Sequence, residues 1–226
     1  MGADTIGRQG YHNEMGVQER RAREREELRT EIMDSARELF VKEGFDNVSM
    51  RKIAEKIEYS PTTIYLYFQD KADLLDCIVE ETLLSLRARL DSLRHGHDPL
   101  ADLKAGLTAY IEYWTLHPND FRVAYMTDLD ALDPNRNWRC RTVGATIYAT
   151  LRNSLRACEE SGVIEYRDLE TASQAVWVAI YGLVALFIMK PHFPWVDQAV
   201  LIDTVVNSAV NSMIPRRAMP LVEAMG

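Results

Sequence analysis

Apolar residues recur along this chain with the 3.6-residue period of an α-helix, and no run alternates polar and apolar residues as a strand does. Leu28, Ile32, Ala36, Leu39 and Phe40 share one stripe, and Leu74, Leu75, Ile78, Leu83, Leu86, Leu90 and Leu93 share another. β-Branched residues sit inside these patterns instead of forming runs of their own. The fold expected is therefore all-α. Punctuation divides the stripes. Gly44 and Gly162 stand where a left-handed residue ends a helix. Ser49, Ser60, Asp70, Asp98 and Asp168 stand where a side-chain oxygen caps a helix start. Pro61, Pro99 and Pro118 occupy first helical positions, where a missing N–H costs nothing. About nine helices are expected, three of them short-spaced within residues 27–69.

With 226 residues, 47% of them hydrophobic, the chain can bury a sizeable core in one large domain or two. Its 26 basic and 34 acidic residues leave a net charge of -8, which by itself disfavours a partner as acidic as DNA. Cys77, Cys140 and Cys158 are odd in number and widely spaced, which argues against a disulfide scaffold or zinc module and for a reducing compartment. The N-terminal residues lack the apolar core of a signal peptide. The strictly apolar run 175–189 is short of the roughly 20 residues that span a bilayer, so a buried or interface helix is expected there and no membrane. The cytoplasm is the expected location. His95 and His97 lie in a turn without a third ligand, so no metal is expected, nor any cofactor. No nucleophile–base set, phosphate-cradling glycine loop or spaced carboxylate pair supports an enzyme.

The organisation expected is a flexible Arg/Glu-rich arm over 1–25, a tri-helical unit over 26–72 and a larger helical domain over 73–226. In the tri-helical unit, two short helices joined by Glu58 and Tyr59 follow a longer one. That arrangement matches a helix-turn-helix, whose second helix enters the major groove of DNA. Here that helix is expected over 61–68. Ile64 and Phe68, four apart, turn inward, leaving Thr62, Thr63, Tyr65, Leu66 and Tyr67 outside. Ser60 to Gln69 carries no charge, unlike an ordinary solvated face. Hydroxyls, methyls and rings suit base edges and phosphate oxygens, and the helix start after Ser60 adds N–H groups aimed at phosphate. The bland alternative is a short core helix with coincidental Thr and Tyr.

The residues AxxLF (36–40), Gly44-Phe45, VSMRKIAEKI (48–57), SPTTIYLYF (60–68) and DKADLL (70–75) resemble the DNA-binding domain of the TetR family of bacterial transcriptional regulators. The resemblance covers about fifty residues, and it implies a larger helical domain that dimerises and binds a small effector. It also implies DNA contacts from Ser49 and Arg51 on the second helix. Ser60, Pro61, Thr62 and Thr63 fall at the base-reading start of the third. Tyr65 and Tyr67 fall on phosphate or base contacts, and Lys71 on a phosphate contact opening the next helix. Pro61 and Thr62 depart from the family's frequent Gly or Lys and leave the preferred sequence open.

Farther along, Trp177-x-x-x-Tyr181-Gly182 is similar to the Trp-x-x-x-His-Gly signature of one C-terminal subgroup, with Tyr181 in place of His. A helix-packing role, with Gly182 permitting close approach, is the plainer alternative. Seven aromatics crowd residues 110–148, and a pocket for a small apolar or aromatic effector is expected from Tyr110, Trp114, Phe121, Tyr125, Trp177 and Tyr181. The last two helices, about 168–190 and 195–214, are apolar beyond one buried face, as a twofold four-helix interface requires. The function expected is a homodimeric repressor, released from palindromic double-stranded operator DNA by the effector. The alternative is a DNA-binding structural or activating regulator with no effector. The net charge then concerns selectivity: residues 1–71 carry 12 basic and 14 acidic residues, and Arg51, Lys52, Lys71 and the arginine arm are the cations near the groove.

Overall fold

The computed structural model describes residues 5–93, 96–125, 127 and 129–215. Among the described residues there are ten helical segments and no strand: α1 Thr5–Glu43, α2 Met50–Lys56, α3 Pro61–Tyr65, α4 Lys71–Asp91, α5 Pro99–Leu116, α6 Pro118–Tyr125, α7 Leu129–Leu132, α8 Arg139–Glu160, α9 Leu169–Met189 and α10 Gln198–Asn211. The segment beyond the nine expected is α7, a single turn of four residues. His95, one of the two turn histidines, lies outside the described residues.

Within the arm expected over 1–25, the described residues belong to α1, which is helical from Thr5 and 39 residues long. No apolar stripe marks its first half. Arg, Glu, Gln and Ala are nonetheless strong helix formers, and pairs one turn apart support them, as in Arg20 with Glu24 at 3.5 Å and Arg29 with Glu26 at 3.6 Å.

The chain divides into two compact units, residues 1–78 with 125–134, and residues 79–124 with 135–226. α4 passes from one to the other. In the first unit the inward stripe of α1 (Ile32, Met33, Ala36, Leu39, Phe40) is buried, as are Ile53 and Ala54 of α2, Ile64 and Phe68, and Leu74, Leu75 and Ile78 of α4. Gly44 closes α1 at φ 83°, in the left-handed region that a side chain disfavours. In the second unit α5 packs with α8, α9 and α10, and α9 with α8 and α10. Ile111, Trp114, Leu155, Cys158, Val184 and Val210 have no exposed surface.

By length and composition alone α9, at 21 residues, is long enough and apolar enough to cross a membrane. Its strictly apolar part is the run 175–189, and Leu169–Gln174 complete the helix expected over about 168–190. Its inward residues, from Ala172 and Val176 through Ile180, Leu183 and Val184 to Phe187 and Ile188, are buried in the second unit.

Candidate nucleic-acid interface

The reading head is assembled by caps. Ser49 Oγ accepts the Lys52 N–H at 3.2 Å and starts α2. Ser60 Oγ accepts the Thr63 N–H at 3.2 Å, with Pro61 at the first position, and starts α3. Asp70 Oδ1 accepts the Asp73 N–H at 2.7 Å and starts α4. Between α2 and α3 the chain reverses at Glu58, whose φ of 61° is the one left-handed non-glycine among the described residues. That conformation costs an L-residue roughly 1–2 kcal/mol, and it is held by the Tyr59 N–H donating to Ala54 O at 3.0 Å.

α3 is shorter than the 61–68 expected, ending at Tyr65 with Leu66 as its C-cap. The inward pair is as expected: Ile64 is 0% exposed and Phe68 1%. Facing out are Thr62, Tyr65 and Leu66, the last two exposed by 54% and 70%. Pro61, Thr63 and Tyr67 are half-buried. Thr63 Oγ1 lies 2.9 Å from Ser60 Oγ, so its hydroxyl also belongs to the cap. Leu66 is not among the expected contacts, although its place opposite Ile64 and Phe68 on the helical stripe already exposes it.

The expected cations fare differently. Arg51 stands into solvent with its side chain 80% exposed and its Nε donating to Glu55 Oε1 at 2.8 Å. Lys52 pairs with Glu43 and Lys56 with Glu38, which tie α2 to α1. The Lys71 ammonium donates to Phe45 O at 2.7 Å and lies 4.1 Å from the Phe45 ring centroid. Burial holds it below the ordinary lysine value, against the upward pull of Asp46. Lys71 thus fastens the turn after α1. Two cations that the sequence did not assign to particular partners sit beside the head. The Arg25 guanidinium lies 5.6 Å from the Tyr67 ring centroid, and that of Arg29 lies 5.7 Å from the Phe68 ring.

In the second unit, five of the six expected effector contacts form a chain of rings. Trp114 meets Tyr110 at 6.2 Å and Phe121 at 5.5 Å; Phe121 meets Tyr181 at 5.4 Å; Tyr181 meets Trp177 at 5.9 Å. The sixth, Tyr125, falls in the first unit. Tyr110, Trp114 and Phe121 are buried, whereas Tyr181 is half-buried and Trp177 exposed. The chain continues to Tyr148, 5.9 Å from Trp177, whose hydroxyl donates to Glu170 Oε1 at 2.9 Å. Gln174 and Arg152 also engage Glu170, at 3.0 and 3.3 Å. The Gln174 bond, then that of Tyr148, hold the Glu170 carboxyl below its usual value. A methyl built on Gly182 meets nothing within 4 Å, so the close approach offered as the plainer reason for this glycine is absent from the described chain.

Known proteins decide the family. Residues 32–78 match the family of bacterial regulatory proteins named for tetR, and residues 103–209 match a tetracyclin repressor-like C-terminal domain. The chain belongs to the TetR family. Residues 32–78 are thus its TetR-type helix-turn-helix region and residues 103–209 its TetR-type C-terminal region. An HTH-type transcriptional regulator of Staphylococcus aureus (strain bovine RF122 / ET3-1) is 27% identical over 88 residues, 38% of this chain and 48% of its own length. Another, from strain USA300, is 37% identical over 57 residues, 25% of this chain and 31% of its own. The chain thus spans less than half the length of these curated relatives. Among solved structures, the TetR regulator PfmR of Thermus thermophilus superposes with a TM-score of 0.68 at 21% identity, covering 80% of this chain and 97% of that one. The fatty acid degradation regulator FadR of Bacillus halodurans superposes with a TM-score of 0.68 at 20% identity, covering 80% and 94%. At these identities the structures speak for a shared TetR fold.

Proposed function

We propose that this TetR-family chain is a homodimeric repressor, located in the cytoplasm, that a small apolar or aromatic effector releases from a palindromic operator. The observation that carries the reading is α3 itself, a capped, uncharged helix whose Thr62, Tyr65 and Leu66 face solvent while Ile64 and Phe68 anchor it. Ser49, Arg51, Ser60, Pro61, Thr62, Thr63, Tyr65, Tyr67 and Lys71 are the DNA contacts of this reading. Two such helices, one per protomer, would read major grooves roughly 34–36 Å apart.

Dimerisation through the last two helices is supported by their outward residues. Val178, Leu186 and Met189 of α9 and Val200 of α10 are 66%, 49%, 56% and 60% exposed, more apolar surface than a solvated face usually carries. The effector reading rests on the ring chain, with Trp177 and Tyr181 as its accessible end and Tyr110, Trp114 and Phe121 behind them. Apolar effectors suit such a lining, and FadR of Bacillus halodurans is named for fatty acid degradation. An effector acts by binding two states of the dimer unequally. In this scheme residues 26–72 read DNA and 73–226 dimerise and bind the effector.

The test is a gel shift on DNA from upstream of the protein's own coding sequence, with a panel of fatty acids, acyl thioesters and aromatic compounds. A shifted band of dimer stoichiometry that one compound abolishes is the expected result. A band that no compound moves, with tryptophan fluorescence and Tm equally unmoved, would favour the effector-free regulator.

A further inference from the structure

Residues 19–31 carry five arginines (Arg20, Arg21, Arg23, Arg25, Arg29) and five glutamates (Glu19, Glu24, Glu26, Glu27, Glu31), so along the sequence the segment is neutral. Folded as α1 it is not neutral face by face. Arg21, Arg25 and Arg29 recur every fourth residue and so share one stripe. At its inner end that stripe reaches the turn that follows α3: Arg29 lies over Phe68 and Arg25 over Tyr67. Glu26, Glu27 and Glu31 belong instead to an open groove of about 550 Å3, with Arg23, Asp34, Glu38 and Lys56. Among the described residues, neither Arg21 nor Arg25 forms an ion pair, and both are exposed.

Lys52 is committed to Glu43, and Lys71 gives one donor to Phe45 O, so the head has fewer mobile cations than its sequence suggests. A duplex laid against α3 would meet a row of guanidinium groups running outward along α1 from Tyr67. From Arg29 back to Arg21 the helix rises about 12 Å, equal to the axial rise of three to four base pairs at ~3.4 Å each. Arginine is suited to this role because its planar fork of donors matches phosphate oxygens. We infer that Arg21 and Arg25, on the N-terminal extension of α1, form a second DNA-contacting element that grips backbone phosphates flanking each operator half-site. The inference deepens the proposed function and rests on α3 being the base-reading helix.

The test uses the full chain, its operator defined by selection from random duplexes, and the paired variant Arg21→Gln/Arg25→Gln. Affinity is measured by anisotropy against salt, on duplexes with long flanks and on duplexes trimmed to the half-site edges. The native chain should lose affinity on trimming, whereas the variant should bind both duplexes alike. On long duplexes the variant's log–log salt slope should be flatter by about 0.9 for each phosphate it no longer neutralises. Glu26→Gln/Glu27→Gln, in the acidic groove, should keep the native response to trimming. Equal slopes and equal sensitivity to trimming in the native chain and the arginine variant would overturn the inference. So would a variant whose only defect is an altered oligomeric state by sedimentation. Tyr65→Ala separates the two levels: loss of operator binding there, with an unaffected arginine variant, rejects this element and leaves the α3 reading intact.

Discussion

Side chains at the reading head divide into those that only face outward and those that also hold it together. Thr62 and Tyr65 face solvent from a helix anchored by other residues, so Thr62→Ala and Tyr65→Ala should keep native helicity and Tm. Each should weaken operator binding by about 1–3 kcal/mol, the range of a good base contact, read by anisotropy against the native chain. Intact operator binding in the double variant would remove α3 from the groove. Lys71 is different, because its bond to Phe45 O and its place over the Phe45 ring belong to the fold. Lys71→Met should lower unfolding stability in urea by about 1–2 kcal/mol, as expected for a charged hydrogen bond with a cation–π contact. It should also flatten the salt slope by about 0.9 per protomer. An unchanged slope would mean that Lys71 touches no phosphate.

Among the elements, capping was the most readable feature, since Ser49, Ser60, Asp98 and Asp168 all accept backbone N–H bonds where punctuation placed them. Asp168 carries a pH signature. The Thr171 hydroxyl, then the Thr171 N–H, donate to its carboxylate and hold its pKa below the ordinary value of 3.8. A depressed carboxyl contributes stability that is present above the unfolded value and lost as pH falls through the folded one. Asp168→Asn should therefore narrow the gap between urea midpoints measured at pH 7 and pH 3. A gap as wide as the native one would deny the cap this role. The α1 extension is silent in the sequence because a helix without an apolar stripe has no periodic signal. Its stability comes from propensity and pairs such as Arg20 with Glu24.

For the molecule, the proposed interface of α9 and α10 makes a definite demand. Val178→Glu with Leu186→Arg sets charges on exposed apolar positions of α9, so the fold should survive while sedimentation shows a monomer at micromolar concentration. Operator affinity should then fall about a hundredfold or more, because the second half-site no longer adds to the first. A dimer that persists would move the interface elsewhere. Periodicity and punctuation made the all-α class and the starts of α2, α5, α6 and α9 legible, because caps and apolar stripes are local properties of a few neighbouring residues. So, by burial pattern, was the inward turn of Ile64 and Phe68. What a side chain does beyond its own turn was not legible. Lys71 and Arg51 look alike in sequence, yet one fastens the turn at Phe45 and the other stands in solvent. Gly182 looks like a packing glycine, yet among the described residues none lies within 4 Å of where its side chain would be. Tyr148 joins the ring chain through Trp177, and Tyr125 falls in the other unit. The sequence alone determined the helices that carry an apolar stripe or a cap and the faces they bury, since both features are settled within a few turns. Tertiary structure alone decided the partners of each exposed or half-buried charge and ring, because those distances depend on packing between segments far apart in the chain.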